Sequence, residues 1–246
     1  KEHEFVLWVI GANAKDKGKF VYELPKNVVE VHEVFLDDAL RLKDSGKMLH
    51  AFTEEETNSL KELMLCRRPN WEILFRLYHD QKLNPMSFLR SEEFLNILTE
   101  CCIKDYPYTP FADAFHTMRS MLLPVLYLMG SEVPKADVYH AICTGYGGLL
   151  ACLGGHVYKK KVLLTEHGIY TREREEEIIR AKWVQPAFKK QWISFFYMLS
   201  DIIYTRAFLV SALFTNAMHA QIQMGCDKEK CRVVENGINY ERLSPI

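Results

Sequence analysis

The spacing of hydrophobic residues changes twice along the chain. Residues 5–10 (FVLWVI) form an unbroken apolar run that ends at Gly11, a pattern typical of a strand buried on both faces, and residues 28–36 predict a second strand. Between residues 54–67, 71–78 and 88–102 the apolar positions instead recur about every 3.6 residues, and a long helix is predicted over about residues 110–129. The pattern therefore predicts a helical insertion over about residues 37–110.

Strands and helices alternate regularly in the second half of the chain. The predicted strands cover residues 136–142, 161–166, 209–214 and 231–235, and the predicted helices cover residues 145–158, 172–182, 186–207 and 216–224. Short connections between alternating strands and helices favour a parallel sheet with right-handed crossovers. We therefore predict an α/β domain over residues 1–235, with a doubly wound, Rossmann-like parallel sheet and one helical insertion.

Composition excludes several classes of function. The formal net charge of -1 offers no basic field for nucleic acid, and the one basic run, residues 159–161, is interpreted as a solvated helix end. Seven cysteines without a C-x-x-C pair predict free thiols in a reducing cytoplasm and no metal site. The most hydrophobic stretch, residues 121–129, is too short to cross a bilayer, so we expect a cytoplasmic protein without a transmembrane segment. Because the chain opens inside a strand, we expect further sequence upstream.

The strongest candidate for chemistry is Glu166-His167-Gly168, which follows the strand predicted at residues 161–166. Ligands of open α/β sheets bind beyond the carboxyl ends of strands, and glycine permits close approach of a ligand. A histidine there can donate to a sugar hydroxyl or a phosphate, or it can simply bond a backbone carbonyl. His140 also ends a strand, and we interpret it as a packed core histidine.

A charged helix follows this strand end. Thr171 is predicted to cap the helix, and Glu176 and Arg180 are spaced to form an ion pair. Arg172 and Arg174 are unusual, because cations in a first helical turn oppose the helix dipole. Their partners are either the neighbouring glutamates or an anionic ligand.

A glycine-rich segment, Thr144 to Gly148, opens the helix predicted at residues 145–158. Such a position can cradle a phosphate, but the third glycine of the dinucleotide pattern is replaced by Leu150. We therefore favour close packing of this helix on the sheet.

Three strings resemble one known family. ADVYHAICTGYGGLLA, LLTEHGIYTRERE and GCDKEKCRVVENGINYERL are similar to the PelF-type family-4 retaining glycosyltransferases of Pel exopolysaccharide synthesis. The resemblance covers nearly the whole chain, and its most specific part is EHGIYTRER. It implies the N-terminal half of a two-domain GT-B fold, with residues 236–246 as the linker to a C-terminal domain that carries the principal donor site.

The resemblance also implies a function. It predicts the acceptor-side domain of a transferase that moves a sugar from a nucleotide-sugar donor, usually UDP-glucose, to a growing exopolysaccharide or other glycan, without cofactor or metal. His167 matches a cleft histidine with a catalytic role, and Glu166, Gly168, Arg172 and Arg174 match substrate-binding positions. A membrane-associated polysaccharide synthase complex is an expected partner. A nucleotide-sugar epimerase of similar fold and a non-catalytic partner-binding domain remain as alternatives.

Overall fold

The computed structural model describes residues 3–42 and 50–237. Its strands are β1 (Phe5–Gly11), β2 (Val28–Phe35), β3 (Val138–Ala141), β4 (Lys161–Glu166), β5 (Leu209–Ala212) and β6 (Cys231–Val233). Its α-helices are α1 (Leu36–Leu40), α2 (Glu54–Met64), α3 (Trp71–Phe75), α4 (Pro85–Leu89), α5 (Glu92–Asp105), α6 (Phe111–Met129), α7 (Gly145–Tyr158), α8 (Tyr170–Arg180), α9 (Lys189–Arg206) and α10 (Thr215–Gln223). Most of the predicted linker 236–246, from residue 238 onward, lies outside the described residues.

The strands form two parallel sheets. β1 pairs with β2, and a larger sheet has the order β3-β4-β5-β6, with helices connecting each strand to the next. This arrangement confirms the predicted Rossmann-like α/β class. The strands are divided between two sheets rather than joined in one, and helices α1 to α6 separate β2 from β3 along the chain.

The larger sheet buries the face on which α7 and α9 pack. Tyr139, Leu164 and Val210 point to this side and belong to the main hydrophobic core. Gly148 allows α7 to approach α9 closely, because a Cβ at this position would lie 2.9 Å from Cγ2 of Ile203. Gly148 therefore serves close packing, but against helix α9 and not against the sheet as predicted.

The opposite face of this sheet is open at β3, although Ser211 on β5 is buried, and this face corrects the prediction for His140. Side chains alternate along a strand, so His140 points away from the core that holds Tyr139, and it is exposed. Its Nε2 lies 2.8 Å from Oγ1 of Thr165, which lies 2.7 Å from Oγ of Ser211. A polar row thus crosses β3, β4 and β5 where a core histidine was predicted.

β1 is also less buried than predicted. Trp8 and Ile10 pack against the main core, but Phe5 and Val9 on the other face are exposed. The prediction of a strand from this apolar run is therefore confirmed. The prediction that both faces of the strand are buried is wrong.

The predicted helical insertion contains helices whose apolar faces join the core of the sheet. Leu60, Phe75 and Phe94 belong to the same hydrophobic cluster as the buried face of the larger sheet, and so does Leu126 on the following helix α6. The apolar pattern over residues 88–102 is divided between α4 and α5, because Ser91 caps α5 by accepting the Phe94 amide at 3.1 Å. None of the helices in the described ranges has the length and apolarity needed to cross a membrane.

Polar contacts of Glu72 attach α3 to the α/β core. Glu72 on α3 lies 2.6 Å from the Arg206 guanidinium on α9 and 2.7 Å from Nδ1 of His156 on α7. Arg206 and His156 also approach the ring of Phe75, at 5.3 and 5.2 Å from its centroid. The helical segment and the sheet are thus joined by polar as well as apolar contacts.

Candidate active site

The candidate site lies at the carboxyl end of β4, in the middle of the larger sheet. Glu166 is the last residue of this strand and pairs in register with Ala212 at the end of β5. His167 and Gly168 form the bend that follows, and α8 begins at Tyr170. The structure therefore places the predicted Glu-His-Gly segment at the edge of the sheet where open α/β folds bind ligands.

Glu166 anchors this edge from inside the protein. It is 1% exposed, and its Oε2 accepts hydrogen bonds from the Tyr204 hydroxyl at 2.7 Å and from Nε2 of Gln221 at 3.0 Å. Since Tyr204 lies on α9 and Gln221 on α10, one carboxyl ties three elements together. Its contacts are with protein side chains, so the geometry gives Glu166 a supporting position beneath the bend.

Burial governs the ionisation of Glu166. Desolvation raises the pKa of its carboxyl above the ordinary value, and the hydrogen bonds from Tyr204, from Gln221 and from the Tyr170 backbone oppose this rise only in part. Its second oxygen, Oε1, is buried and has no side-chain hydrogen-bond partner among the described residues. The site thus carries a carboxyl that resists ionisation directly beside an exposed histidine.

His167 is oriented differently from Glu166. Its side chain is exposed, and it makes no hydrogen bond or ion pair within residues 3–42 and 50–237. Both ring nitrogens are consequently available to a ligand, as donor or acceptor according to the tautomer. A histidine that only satisfies a backbone carbonyl, the alternative drawn from the sequence, does not match this geometry.

Two glycines bring the start of α8 close to neighbouring groups. A Cβ at Gly168 would collide with the Glu173 carboxylate. Gly145, the first residue of α7, has φ of +69°, and a Cβ there would lie 2.6 Å from Cε1 of Tyr170. The Tyr170 ring therefore covers the start of α7, and this contact requires glycine for both space and backbone conformation.

Gly145→Ala should lower the free energy of unfolding by about 2–4 kcal/mol, because the left-handed backbone and the clash with Tyr170 both add a cost. Chemical denaturation of the variant and the wild type gives this difference. Gly18→Ala is the matched control, since Gly18 has φ of +71° with no atom within 4 Å of the added carbon. Equal losses in the two variants would show that the Tyr170 contact does not constrain α7.

The two arginines of α8 have different surroundings. Arg174 lies 2.7 Å from Oε2 of Glu177, and its guanidinium stands 5.3 Å from the Tyr170 ring centroid. Arg172 is exposed and has no ion pair within the described ranges. A neighbouring glutamate thus accounts for Arg174, whereas Arg172 remains open to an anionic ligand.

The start of α8 corrects one prediction and confirms another. Thr171 does not cap the helix: α8 begins at Tyr170, two residues earlier than predicted, with Ile169 at the cap position, and buried Thr171 donates to Sδ of Met224 at 3.2 Å. Among the residues that the structure describes, no side chain caps the first-turn amides of α8, and the Thr171 hydroxyl bonds Met224. The predicted pair of Glu176 and Arg180 is present at 3.3 Å.

The supporting residues Tyr204, Gln221 and Tyr170 were not predicted. Tyr204 and Gln221 lie 38 and 55 positions after Glu166, inside helices whose sequence gives no signal for a partner on β4. Only the glutamate at the end of an apolar strand could have indicated them, because a buried carboxyl requires donors.

The cysteines carry free thiols. Cys226 and Cys231 are both buried, and their sulfur atoms lie 3.5 Å apart. Among the described residues, no three His, Cys, Asp or Glu side chains group as potential metal ligands.

Fold and site together define an open parallel α/β domain with an exposed histidine at the carboxyl end of a central strand. The chain belongs to the family described as Domain of unknown function (DUF3492), which matches residues 1–229. This family is associated with the N-terminal domains of glycosyltransferase-like proteins. No curated protein and no solved structure matches the chain.

Proposed function

We propose that this chain is the acceptor-side domain of a PelF-type retaining glycosyltransferase, which moves glucose from UDP-glucose to a growing exopolysaccharide. The observation that carries the proposal is His167, exposed and without a side-chain partner in the described ranges, beside the buried anchor Glu166. The family association with glycosyltransferase-like proteins supports the same class of reaction. A C-terminal domain supplies the principal donor site.

The proposed roles follow from exposure and charge. His167 donates a hydrogen bond to a sugar hydroxyl or a phosphate oxygen, where charge develops as the glycosidic bond breaks. Arg172, exposed on the first turn of α8, adds positive charge toward the donor phosphates. Gly168 keeps the bend narrow, and Glu166 holds it in position through Tyr204 and Gln221.

The proposed setting is the cytoplasmic side of a membrane-associated polysaccharide synthase complex. The substrates are a nucleotide sugar and a glycan acceptor, and no metal or cofactor takes part in the proposed reaction. The open face of the larger sheet and the exposed side of β1 are the surfaces at which further domains or subunits can pack.

Product analysis tests the proposed class of reaction. When the intact protein is incubated with UDP-glucose and an oligosaccharide acceptor, we expect UDP and an elongated oligosaccharide, which mass spectrometry separates directly. An epimerised sugar nucleotide as the sole product would instead show the epimerase. If there is no product, and complex formation depends on the helical insertion but not on His167, the chain is a partner-binding domain.

A further inference from the structure

A shallow cleft of about 540 Å³ lies beside the candidate site, on the outer side of α8. It is lined by Glu173, Glu176, Glu177, Arg180, Ala181 and Trp183. Of these residues, Glu173 reaches the Glu166-His167-Gly168 bend, because its carboxylate fills the space beside Gly168.

An exposed tryptophan forms the apolar wall of this cleft. Trp183 is 66% exposed, although indole is among the most costly side chains to leave in water. Aromatic contacts hold the Trp183 ring in place. Its centroid lies 5.7 Å from that of Trp192 in an edge-on contact, and the Trp192 ring stacks on Phe196 at a centroid distance of 6.1 Å. A rigid aromatic surface that faces solvent beside a depression is typical of a site for a ligand with an apolar face.

Carboxylates form the opposite wall. Glu176 pairs with Arg180 at 3.3 Å, and Glu177 pairs with Arg174 at 2.7 Å. Each carboxylate has more acceptor positions than one arginine occupies, so both can still accept hydrogen bonds. The wall thus offers acceptors to a ligand that carries several hydroxyl donors.

These two walls select a class of ligand. A pyranose ring has one face of C–H groups, which can pack on the negative face of an indole, and a rim of hydroxyl donors for the carboxylates. A nucleotide diphosphate would be repelled, because the three carboxylates outnumber the one arginine in the lining. The cleft therefore suits an uncharged sugar rather than the sugar-nucleotide donor.

The cleft is connected to the candidate site through Glu173. The Glu173 carboxylate occupies the space that a Cβ at Gly168 would need, directly beside His167. We propose that the Trp183 cleft binds the acceptor glycan and stacks one of its sugar rings on the indole. This assignment rests on the proposed function, since it supplies the acceptor subsite of that reaction.

Calorimetric titration of the intact protein with cellotetraose, maltotetraose and tetra-N-acetylchitotetraose tests the assignment. At least one of the three should bind, Trp183→Ala should weaken it at least about tenfold, and Trp183→Phe should weaken it less, because the phenyl ring keeps an aromatic face. Tyr22→Ala is the control, since Tyr22 is 82% exposed in the loop between β1 and β2 and its removal should leave binding unchanged. Thermal melts of all variants show that each is folded.

If none of the three oligosaccharides binds, or if Trp183→Ala binds them like the wild type, the assignment is overturned. Transfer kinetics separate it from the proposed function. Transfer with an unchanged KM for the acceptor in Trp183→Ala would overturn the cleft and leave the transferase in place. Trp183-dependent oligosaccharide binding without any transfer would support the cleft as a glycan site and contradict the transferase.

Discussion

His167→Ala is expected to lower the rate of sugar transfer by at least about tenfold, because a hydrogen bond to a charged group contributes about 1.5–3 kcal/mol. The fold should be unaffected, since the His167 side chain is exposed and removing it leaves no cavity. Initial rates at saturating donor and acceptor, together with thermal melts, measure both effects.

His116→Ala provides the matched control for this variant. His116 is also exposed, but it lies on α6 in the helical segment, away from the strand ends of the larger sheet. Its loss should change neither transfer nor unfolding. Unaltered transfer by His167→Ala, in a protein that melts like the wild type, would show that the site has been placed on the wrong residue.

Glu166→Ala is expected to lower the free energy of unfolding by about 2–4 kcal/mol. The reason is that the Tyr204 hydroxyl and the Gln221 amide, each buried, would lose their shared acceptor, and each unpaired donor costs about 1–3 kcal/mol. Urea denaturation measures this loss. A change below 0.5 kcal/mol would show that these hydrogen bonds do not hold the strand end.

Glu166→Gln should behave differently, and its effect should depend on pH. Burial raises the pKa of Glu166 in the folded protein above its ordinary value of 4.5, so the folded state binds the proton more tightly than the unfolded state. The stabilisation from this group is therefore complete below about pH 4.5 and is lost as the pH rises through the folded pKa. Glutamine keeps an acceptor for Tyr204 and Gln221 but cannot ionise.

The stability of Glu166→Gln relative to the wild type should therefore increase as the pH is raised above about 4.5, and it should level off once the pH exceeds the folded pKa of Glu166. Denaturation curves at a series of pH values test this directly, and taking the difference between the two proteins removes the contribution of the other carboxyls. A difference that falls over this range would mean that the Glu166 carboxyl is more acidic in the folded protein, not less.

Much of the fold could be predicted because its signals are local. The apolar run that ends in Glu166 and the charged helix behind it placed β4, the bend and α8 within two residues. Helical spacing likewise placed α2 and α6. These patterns depend only on side-chain periodicity within one element, which the sequence displays directly.

The errors concern which face of an element is buried, because burial depends on distant residues. In the four-residue strand β3, a shift of one position exchanges the core and solvent faces, and Tyr139 rather than His140 faces the core. The exposed side of β1 could not be predicted from its apolar residues either, since nothing in the local sequence indicates which elements pack on this strand.

At the candidate site, too, local features could be predicted and tertiary contacts could not. The sequence indicated His167 and Gly168 through their position after a strand, but not the hydrogen bonds that make Glu166 a buried anchor. Thr171 has the residue type of a helix cap, yet its hydroxyl is directed to Met224, which lies 53 residues later. At Thr171, a tertiary contact therefore overrides the local residue preference.

The anomeric configuration of the product tests the proposed retaining transferase most directly. Glucose is attached to UDP by an α linkage, so a retaining enzyme must create an α-glucosidic bond in the elongated acceptor. Proton NMR of the product formed by the intact protein from UDP-glucose should therefore show a new α-anomeric signal, which should grow at least about tenfold more slowly with His167→Ala. A new β-anomeric signal, or a sugar nucleotide that is altered but never transferred, would contradict the proposal.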